Sequence, residues 1–583
     1  MRRILLLSFL WIQCFSGASA SAAFLADPAP SGDITVQLCP TTSVTPNVPH
    51  LVTFGLPLPR GSLTANDLGT VRVLDGGTEI AAYVDQLTPW RHRTNPSLDG
   101  TSVRIARVQL EYSFAGSACE NVTVSWGGAP RTQNRPTLTP PRSAWHAANG
   151  GTFVAGDGVD EPDVFAVLPK EWLAKGVLKG AQNVPFDTSV TETRDDPEAM
   201  EATEHWPGYV ELDHAEKNNF FSVINEDDPG VAAANQCAYK TDYEPWLYDR
   251  SATMFALYFR SGTLKSLREA VRASDFYADH LDNDGNFTLK GVDSKYVYAE
   301  NLAYTAWLTG DTTQLSHIPA ILSAHDVFND VWQNNPDRFW TERHVAFKLN
   351  AYSIAYELGG DAAYRDKINA MITELVRHQN GADGQIPQPA GYVDGGLYHL
   401  GAQHDWDWPE TAFGASSWMS VLLVDAALRA YATAEDLPTA HLIRRLGHFL
   451  AVSTVDTDEH TYDTYEAPLA LPRYAILSDG TDGQRNYEDI EHALDVAAGI
   501  AWGAYFADVV GQPDASLRDR ANDLYFSYDI GVNYWVRPAG PDAGYTAYRI
   551  SPWRKWGWEH RVSTGFAWAM NRGVDPIFAG SFE

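Results

Sequence analysis

Two stretches decide the fold, NLAYTAWLTG (Asn301–Gly310) and YSIAYELGG (Tyr352–Gly360). In each, apolar residues recur every three or four positions, the spacing of one helix face, and a glycine follows the last turn. An aspartate and a second helical pattern come directly after each glycine. Two helices joined by so short a turn form an antiparallel hairpin. The sequence therefore predicts paired helices in this part of the chain.

The same unit recurs through residues 241–575, with turns near residues 262, 310, 360, 435 and 511. The spacing of 48 to 76 residues is longer than the roughly 34–47 residues of helical solenoid repeats. We therefore predict a closed ring of helix pairs, an (α/α)6-type toroid, rather than a solenoid. A last helix, Val562 to Met570, is predicted to close the ring.

The region before the helices is of a different type. Residues 30–128 contain short alternating runs separated by Gly, Pro, Asn and Asp turns, and this pattern predicts an N-terminal β-barrel or β-sandwich. Residues 129–240 sustain no period, so we expect a linker and an irregular segment with some strand. The fold class predicted for the whole chain is multidomain α+β.

The β region carries a resemblance to a known domain. The segments FGLPLPRG (Phe54–Gly61) and DGTSVR (Asp99–Arg104), with Gln86 between them, resemble the N-terminal RIFT-type barrel of exo-rhamnogalacturonan lyases. The resemblance covers roughly 90 residues. It implies a secreted, carbohydrate-active protein with a catalytic module behind the barrel.

The N-terminal segment and the net charge indicate where the protein acts and which partners it can bind. Residues 1–20 are typical of a signal peptide, with Arg2 and Arg3 before an apolar run and a possible cleavage site at Ala20. We expect a secreted or periplasmic protein. The net charge of −31 disfavours nucleic acid and anionic membranes as partners, and it would also repel a polyanionic glycan at long range unless the cleft is locally basic. The expected partner is a polysaccharide substrate. The oligomeric state is not predicted.

Cysteine usage agrees with export. Cys39 and Cys119 are expected to be able to form a disulfide in an oxidising compartment, and Cys237 is expected to be a buried thiol. The chain has no CxxC or HExxH motif, so the sequence assigns no metal and no cofactor, and it leaves a metal requirement open.

Clusters of polar and aromatic residues precede the first helix of each pair and the closing helix. If these helices form the inner ring, their starts share one rim, and the clusters converge on one site. Aromatic rings suit sugar stacking, and carboxylates and imidazoles suit proton transfer. The predicted catalytic residues are His344, His404, Tyr298, His492, Glu410 and Asp405. The predicted substrate-binding residues are Glu244, Trp246, Asp249, Arg250, Glu342, Tyr392, Trp406, Trp408, Tyr487, Trp558 and Arg561.

Two chemistries compete for this rim. Toroidal polysaccharide lyases use His and Tyr to move protons and Asn, Arg or His to neutralise a uronate, and the chain is similar to them in offering such residues. Hydrolysis needs two carboxylates, and the run from His399 through His404 to Asp407 resembles unsaturated glucuronyl hydrolases. The leading hypothesis is a lyase acting on a uronate-containing glycan. The alternatives are a glycoside hydrolase of the same fold and a non-catalytic glycan-binding protein.

Overall fold

The computed structural model describes most of the two predicted regions. The described residues are 24–42, 44–149, 153, 155–185, 240–241, 243–332, 341–382, 384, 386–404, 408–457, 469–483, 492–536, 557 and 560–572, without the side chains of 244 and 529–536. The predicted signal peptide and Cys237 lie outside them. No helix of the described chain is long and apolar enough to cross a membrane.

The N-terminal part is built of antiparallel strands. They are β1 (Gly32–Pro40), β2 (Pro49–Pro57), β3 (Arg72–Asp75), β4 (Thr78–Ile80), β5 (Ala82–Pro89), β6 (Val103–Ser113), β7 (Glu120–Trp126), β8 (Trp145–Ala147), β9 (Asp160–Pro162) and β10 (Val164–Val167). One sheet has the order β10-β1-β7-β3-β4 and another the order β2-β6-β5, while β8 and β9 pair with each other. Sheets therefore come first in the chain and helices later, as the sequence predicts.

The first sheet extends further along the chain than the predicted boundary at residue 128. Strand β10 pairs with β1, with Leu38 opposite Ala166. All four residues of β10 are buried, because the strand also packs against β2 and against the helical region. A strand covered on both faces shows no polar alternation. The period-two pattern that identified the other strands is consequently missing from this one.

The disulfide considered from the sequence is present. Cys39 in β1 is bonded to Cys119, 80 residues further along the chain. Cys119 lies just before β7, the direct neighbour of β1 in the sheet. The bond thus closes a loop that holds five of the other strands of this region.

The helical region consists of antiparallel pairs. Its helices follow the short α1 (Lys170–Leu173) and are α2 (Arg250–Ser261), α3 (Leu264–Asp279), α4 (Glu300–Thr309), α5 (Ile318–His325), α6 (Glu342–Gly359), α7 (Ala362–Gln379), α8 (Ser417–Ala432), α9 (Leu437–Val452), α10 (Ala493–Val509), α11 (Ala515–Val536) and α12 (Phe566–Asn571). Three first helices end where predicted, at Gly262, Gly310 and Gly360, each with φ between 61° and 73°. Glycine adopts this left-handed conformation without strain.

The first helices of the pairs form a closed ring. Each of α2, α4, α6, α8 and α10 contacts the next, and α10 contacts α12 and the turn before it. The ring closes where the Thr253 hydroxyl of α2 donates to the carbonyl of Gly557 at 2.6 Å. The described residues thus hold five helix pairs and a closing helix, which agrees with the predicted ring.

The β region covers the end of the ring where the first helices end. The Arg93 N–H donates to the Thr433 carbonyl after α8 at 2.7 Å. A Cβ on Gly310 would lie 2.7 Å from the Thr53 side chain, and one on Gly360 would lie 2.3 Å from the Arg91 guanidinium. One buried apolar core runs through both regions. The starts of the first helices therefore lie at the opposite end of the ring.

A buried ion pair joins the two regions. The Arg104 guanidinium of β6 is fully buried, bonds to the Glu357 carboxylate of α6 and lies 4.3 Å from the Trp307 ring of α4. It also donates to the Val177 and Leu178 carbonyls at 3.0 and 2.9 Å. Glu357 binds Arg429 of α8 at 3.0 Å as well. One side chain of the β region is thereby fixed against three inner helices.

The disulfide yields a first prediction. Replacing both Cys39 and Cys119 by alanine should lower the free energy of unfolding by about 2–4 kcal/mol, because the unfolded chain gains the freedom of a large loop. Urea unfolding followed by tryptophan fluorescence measures the change. Dithiothreitol should lower the stability of the parent chain and leave that of the double variant unchanged. Equal sensitivity of both proteins to the reductant would contradict a bond between these cysteines.

The buried ion pair yields a second prediction. Arg104→Met should destabilise the chain by about 3–5 kcal/mol, because it leaves the Glu357 carboxylate buried with less compensation. Arg135→Met is the matched control, since Arg135 bonds to Glu111 at 2.7 Å on the surface of the same region, and exposed pairs contribute about 1 kcal/mol or less. Chemical unfolding compares the two variants. Equal small losses would show that Arg104 does not anchor the β region.

Candidate active site

The starts of the inner helices meet at the end of the ring opposite the β region, where the described side chains Tyr248, Trp418 and His492 are buried. The Tyr248 N–H, just before α2, donates to the Tyr298 hydroxyl before α4 at 2.7 Å. The Arg343 guanidinium of α6 lies 3.5 Å from the Tyr248 hydroxyl, and the Trp418 ring of α8 stacks on the His492 ring before α10. Polar and aromatic groups from five separate stretches of chain therefore form one rim.

Trp418 lies at the centre of this rim. Its ring is nearly parallel to the His492 ring, with centroids 5.3 Å apart. Tyr248 meets it edge-on at 6.3 Å, Tyr474 lies 5.5 Å away, and the Arg343 guanidinium carbon lies 5.8 Å from the ring. An imidazole, a guanidinium and a phenol thus surround a single indole.

A small sheet positions several of these groups. It has the order β11-β12-β15 and consists of β11 (His399–Leu400), β12 (Phe413–Ser416) and β15 (Ala475–Leu477), while β13 (Thr454–Thr457) pairs with β14 (Leu469–Pro472). Trp418 follows β12 by two residues, and Tyr474 directly precedes β15. Since β12 pairs with β15, the two rings are brought together by the strand register.

His492 has a fixed orientation. Its Nδ1 lies 3.0 Å from the Asp495 carboxylate, three residues along the chain. Both residues are buried. A carboxylate at this position fixes Nδ1 as the protonated nitrogen, so the other ring nitrogen, Nε2, is the one suited to exchange a proton with a substrate.

The backbone at the start of α2 is strained. Tyr248 and Asp249 have φ values of 71° and 61°, a left-handed conformation that costs non-glycine residues about 1–3 kcal/mol. Asp249 accepts the Ala252 N–H and the Asn301 side-chain amide, both at 2.9 Å. The Arg561 guanidinium lies 3.4 Å from the Tyr248 carbonyl. These contacts hold the strained backbone and direct the Tyr248 side chain towards Arg343.

A second group of titratable side chains lies beside this rim. Glu342, His399 and His404 are all buried, and one possible ligand atom from each lies within 4.8 Å of the others. His399 Nε2 is 3.0 Å from His404 Nδ1, and His399 Nδ1 is 3.7 Å from Glu342 Oε2. The Trp408 ring packs on both imidazoles, with centroids 4.4 and 5.3 Å away.

Burial dominates the electrostatics of this second group. It raises the pKa of Glu342 to about 8 and lowers the pKa of His399 well below its usual range. Glu342 Oε1 accepts the Ser416 N–H at 2.8 Å, whereas Oε2 has no hydrogen-bond partner among the described residues. A buried carboxylate oxygen without a partner is unfavourable.

Several predicted catalytic residues occupy other environments. The Tyr298 hydroxyl accepts the Tyr248 N–H and donates to the Lys295 carbonyl, and burial raises its pKa well above the usual value. His344 pairs through Nδ1 with the Thr341 hydroxyl at 2.7 Å, and burial lowers its pKa well below the usual range. Glu410 is exposed. Tyr298 thus bonds to backbone on both sides, a structural arrangement that the sequence did not anticipate.

The predicted binding residues are similarly divided. Trp246 stacks on Phe276 at 5.1 Å and also packs against Tyr277 and Phe287, so its ring contacts core aromatic residues. Arg250 is buried, and Tyr392 is partly buried against Tyr398. Arg561 lies inside the ring, with Nη2 2.6 Å from Glu300 and Nε 3.2 Å from Asp425. Its charge is therefore paired internally, and not presented to a ligand.

Other predicted residues lie outside the described chain. They are Asp405, Trp406, Tyr487, Trp558 and the side chain of Glu244. Conversely, five residues of the rim and one of the second group were not among the predicted site residues. These are Tyr248, Arg343, Trp418, Tyr474 and Asp495 of the rim, and His399 of the second group. Four of them lie within six residues of a predicted site residue along the sequence, but Trp418 is eight residues from Glu410 and Tyr474 is further from any, and the places of these two depend on strand register.

No family model matches the chain, and no curated protein matches its sequence. Among solved structures, a polysaccharide lyase is 11% identical over 64% of this chain and 100% of its own, with a TM-score of 0.39. An unsaturated glucuronyl hydrolase from Bacillus sp. GL1, described as responsible for glycosaminoglycan degradation, is 17% identical over 56% of this chain and 88% of its own, with a TM-score of 0.34. The corresponding enzyme from Streptococcus agalactiae is 10% identical over 66% and 97%, with a TM-score of 0.36.

Both enzyme classes expected from the sequence thus occur among the structural neighbours. Because every TM-score is below 0.5, these similarities carry no argument about the activity of this chain. The function is therefore inferred from the geometry of the rim.

Asp249 provides a prediction for this rim. Burial raises its pKa to about 6, above the value of about 4 in an unfolded chain, so the folded state holds the extra proton and ionisation opposes folding. This destabilisation grows as the pH rises from about 4 through 6. In Asp249→Asn the side chain still caps the helix but cannot ionise, so the variant lacks this pH-dependent destabilisation. Relative to the parent, its stability should therefore improve by about 2–3 kcal/mol between pH 4 and pH 7, as measured by urea unfolding. A difference that does not vary with pH would contradict the raised pKa.

Proposed function

We propose that this protein is a secreted polysaccharide lyase that cleaves a uronate-containing glycan by β-elimination at the Trp418 rim. The observation that carries the proposal is the placement of the oriented His492 imidazole, the Arg343 guanidinium and the Tyr248 hydroxyl around one indole. The three groups match the three tasks of the reaction. A base removes the proton from C5, a cation stabilises the carboxylate as C5 becomes negative, and an acid protonates the departing oxygen at C4.

Each task has one assigned residue. His492 Nε2 takes the C5 proton, with Nδ1 held by Asp495. Arg343 binds the uronate carboxylate, because its planar fork matches a carboxylate and its charge persists at any working pH. Tyr248 donates its hydroxyl proton to the C4 oxygen as the C4–O bond breaks and the C4=C5 double bond forms. The nearby guanidinium, 3.5 Å from the Tyr248 oxygen, favours the phenolate that this step leaves behind.

Local charge at the rim also suits an acidic sugar. The chain has a net charge of −31 and repels a polyanion at long range. At the rim, however, Arg343 lies in the first turn of α6, and several inner helices begin there. Helix N-termini carry partial positive charge. The uronate would thus meet favourable potential within the site, where screening by salt is weak.

Hydrolysis is the alternative to elimination at the same rim. Of the carboxylates that the sequence offers for hydrolysis, Asp249 caps α2, Glu342 lies in the second group beside the rim and Glu410 is exposed. The others, Asp405, Asp407 and the side chain of Glu244, lie outside the described residues. A pair of carboxylates flanking a common space is therefore not part of the described geometry. The third possibility, a glycan-binding protein without activity, requires the aromatic rings and no proton-transfer group.

One assay separates these possibilities. The protein is incubated with a panel of uronate-containing and neutral glycans, and absorbance of the unsaturated uronate in the ultraviolet is followed together with reducing ends. A lyase raises both signals, and a hydrolase raises reducing ends alone. Binding without either signal across the panel would refute enzymatic activity.

The assignments predict specific losses. His492→Ala and Tyr248→Phe should each lower kcat by about 100-fold to 10,000-fold, since each removes a proton-transfer group. Asp495→Asn should lower kcat with little change in KM and should alter the pH profile, because the amide no longer fixes the tautomer of His492. The matched controls are His448→Ala on α9 and Tyr364→Phe on α7, which should retain full activity, because His448 lies beside the Asp394 carbonyl and Tyr364 packs on Tyr352 rather than on the rim. Full activity in folded His492→Ala would contradict the assignment.

The proposal includes export of the protein from the cytoplasm. A protein that acts on polysaccharide outside the cell must cross a membrane, and cleavage near Ala20 would release the mature chain. The disulfide between Cys39 and Cys119 suits the oxidising environment that it would then enter. Mass spectrometry of the N-terminus of protein recovered outside the cytoplasm tests this step, and an uncleaved N-terminus there would contradict it.

A further inference from the structure

We propose that Glu342, His399 and His404 bind a divalent transition-metal ion of the Zn²⁺ class beside the Trp418 rim. None of the three is needed by the proposed elimination, which uses His492, Arg343 and Tyr248. The proposed metal site and the proposed elimination can therefore be tested independently.

The donor set points to this class of ion. Two imidazoles and one carboxylate form a common ligand set for zinc, with a fourth position left for water or a substrate oxygen. Calcium and magnesium prefer oxygen ligands throughout. All three side chains are at most 1% exposed, so the ion would be enclosed by protein rather than held at the surface.

The outer atoms of two ligands are already held by backbone. The Ser416 N–H donates to Glu342 Oε1 at 2.8 Å, and Oε2 lies 3.7 Å from His399 Nδ1, the ring nitrogen that does not face His404. His399 Nδ1 lies 3.1 Å from the Leu397 carbonyl, an acceptor that requires a proton on Nδ1. The lone pair of His399 is thereby placed on Nε2, the nitrogen that faces His404. Outer contacts of this kind orient metal ligands in general.

The buried Glu342 Oε2 atom is a second, independent observation that supports a bound cation at this place. The side chain is 0% exposed, and this oxygen has no hydrogen-bond partner among the described residues. Buried polar atoms are nearly always paired. A cation between the carboxylate and the two imidazoles would satisfy the oxygen.

The distances are close to those that a metal requires. One ligand atom from each residue lies within 4.8 Å of the others, and the two ring nitrogens that face each other are 3.0 Å apart. Ligand atoms about 2.0–2.2 Å from a tetrahedral zinc ion are roughly 3.3–3.5 Å from one another. Closing the widest separation by about 1 Å requires small rotations of side chains that lie against Trp408.

The sequence gives no sign of this site. Glu342 is 57 residues before His399, and HExxH-type motifs place their ligands four residues apart. The three residues meet because β12 brings Ser416 to the start of α6 while its partner β11 carries His399. Because no local motif marks these residues, the sequence leaves the metal requirement open.

Metal content of the purified chain tests the proposal without any substrate. The protein is stripped with a chelator, equilibrated with zinc chloride, freed of excess metal and analysed by mass spectrometry of the elements. We expect about one zinc per chain in the parent and a loss of at least ten-fold in Glu342→Gln and in the double variant His399→Ala/His404→Ala. His448→Ala, a histidine variant outside the cluster, should keep one zinc.

A second measurement covers variants that fail to fold. The thermal midpoint of the stripped parent chain should rise on addition of zinc chloride, because a ligand that binds the folded state stabilises it, and magnesium chloride should have no such effect. The absence of bound zinc and of any shift in the parent would overturn the proposal and leave the three residues as a hydrogen-bonded chain. Equal zinc content in Glu342→Gln and the parent would exclude this location. Neither result bears on the elimination reaction, which the His492 and Tyr248 variants test separately.

Discussion

The structure depends on charges that are buried inside the ring and must therefore be paired. Glu300 of α4 binds Arg429 of α8 at 2.5 Å and Arg561 at 2.6 Å. Arg429 also binds Glu357 of α6, which in turn binds Arg104 of the β region. Isolated charges in such an interior would be strongly unfavourable. The charged residue of each helix in the network forms its ion pair only when the helix has the right position along its axis and the right rotation about it.

This constraint links the β region to the candidate site. Arg561 lies at the far end of the same network, 3.4 Å from the Tyr248 carbonyl, and Lys179 binds Asp425 at 3.1 Å beside it. The network thus connects β6 to the strained turn before α2 through a continuous series of ion pairs and hydrogen bonds. A buried network contributes little net stability compared with apolar packing, and its role is to specify one arrangement of the elements.

The two ends of the helix ring therefore differ: one contacts the β region, and the other holds the candidate site. Where the first helices end, glycines let the turns pack tightly against the β region, and charged groups such as Arg93 and Asp436 pair with each other across the contact. Where the helices begin, polar and aromatic residues are gathered, and the small sheet β11-β12-β15 adds His399, Trp418 and Tyr474 from the connections. Helix starts supply partial positive charge, and connections tolerate insertions, so this end is suited to bind an acidic substrate.

The sequence by itself determined the elements and their order. The apolar period and the glycine stops identified the helical hairpins, and the alternating runs identified residues 30–128 as a β region, because both patterns are local. It also located the helix starts as the place where polar groups gather. It did not identify β10, whose side chains are buried on both faces, and it could not distinguish His492 at the rim from Tyr298, whose hydroxyl bonds to backbone. The pairing of His492 with Trp418 and the meeting of Glu342 with His399 were decided by the tertiary structure, because they depend on strand register and helix rotation, which residues far apart in the chain set together.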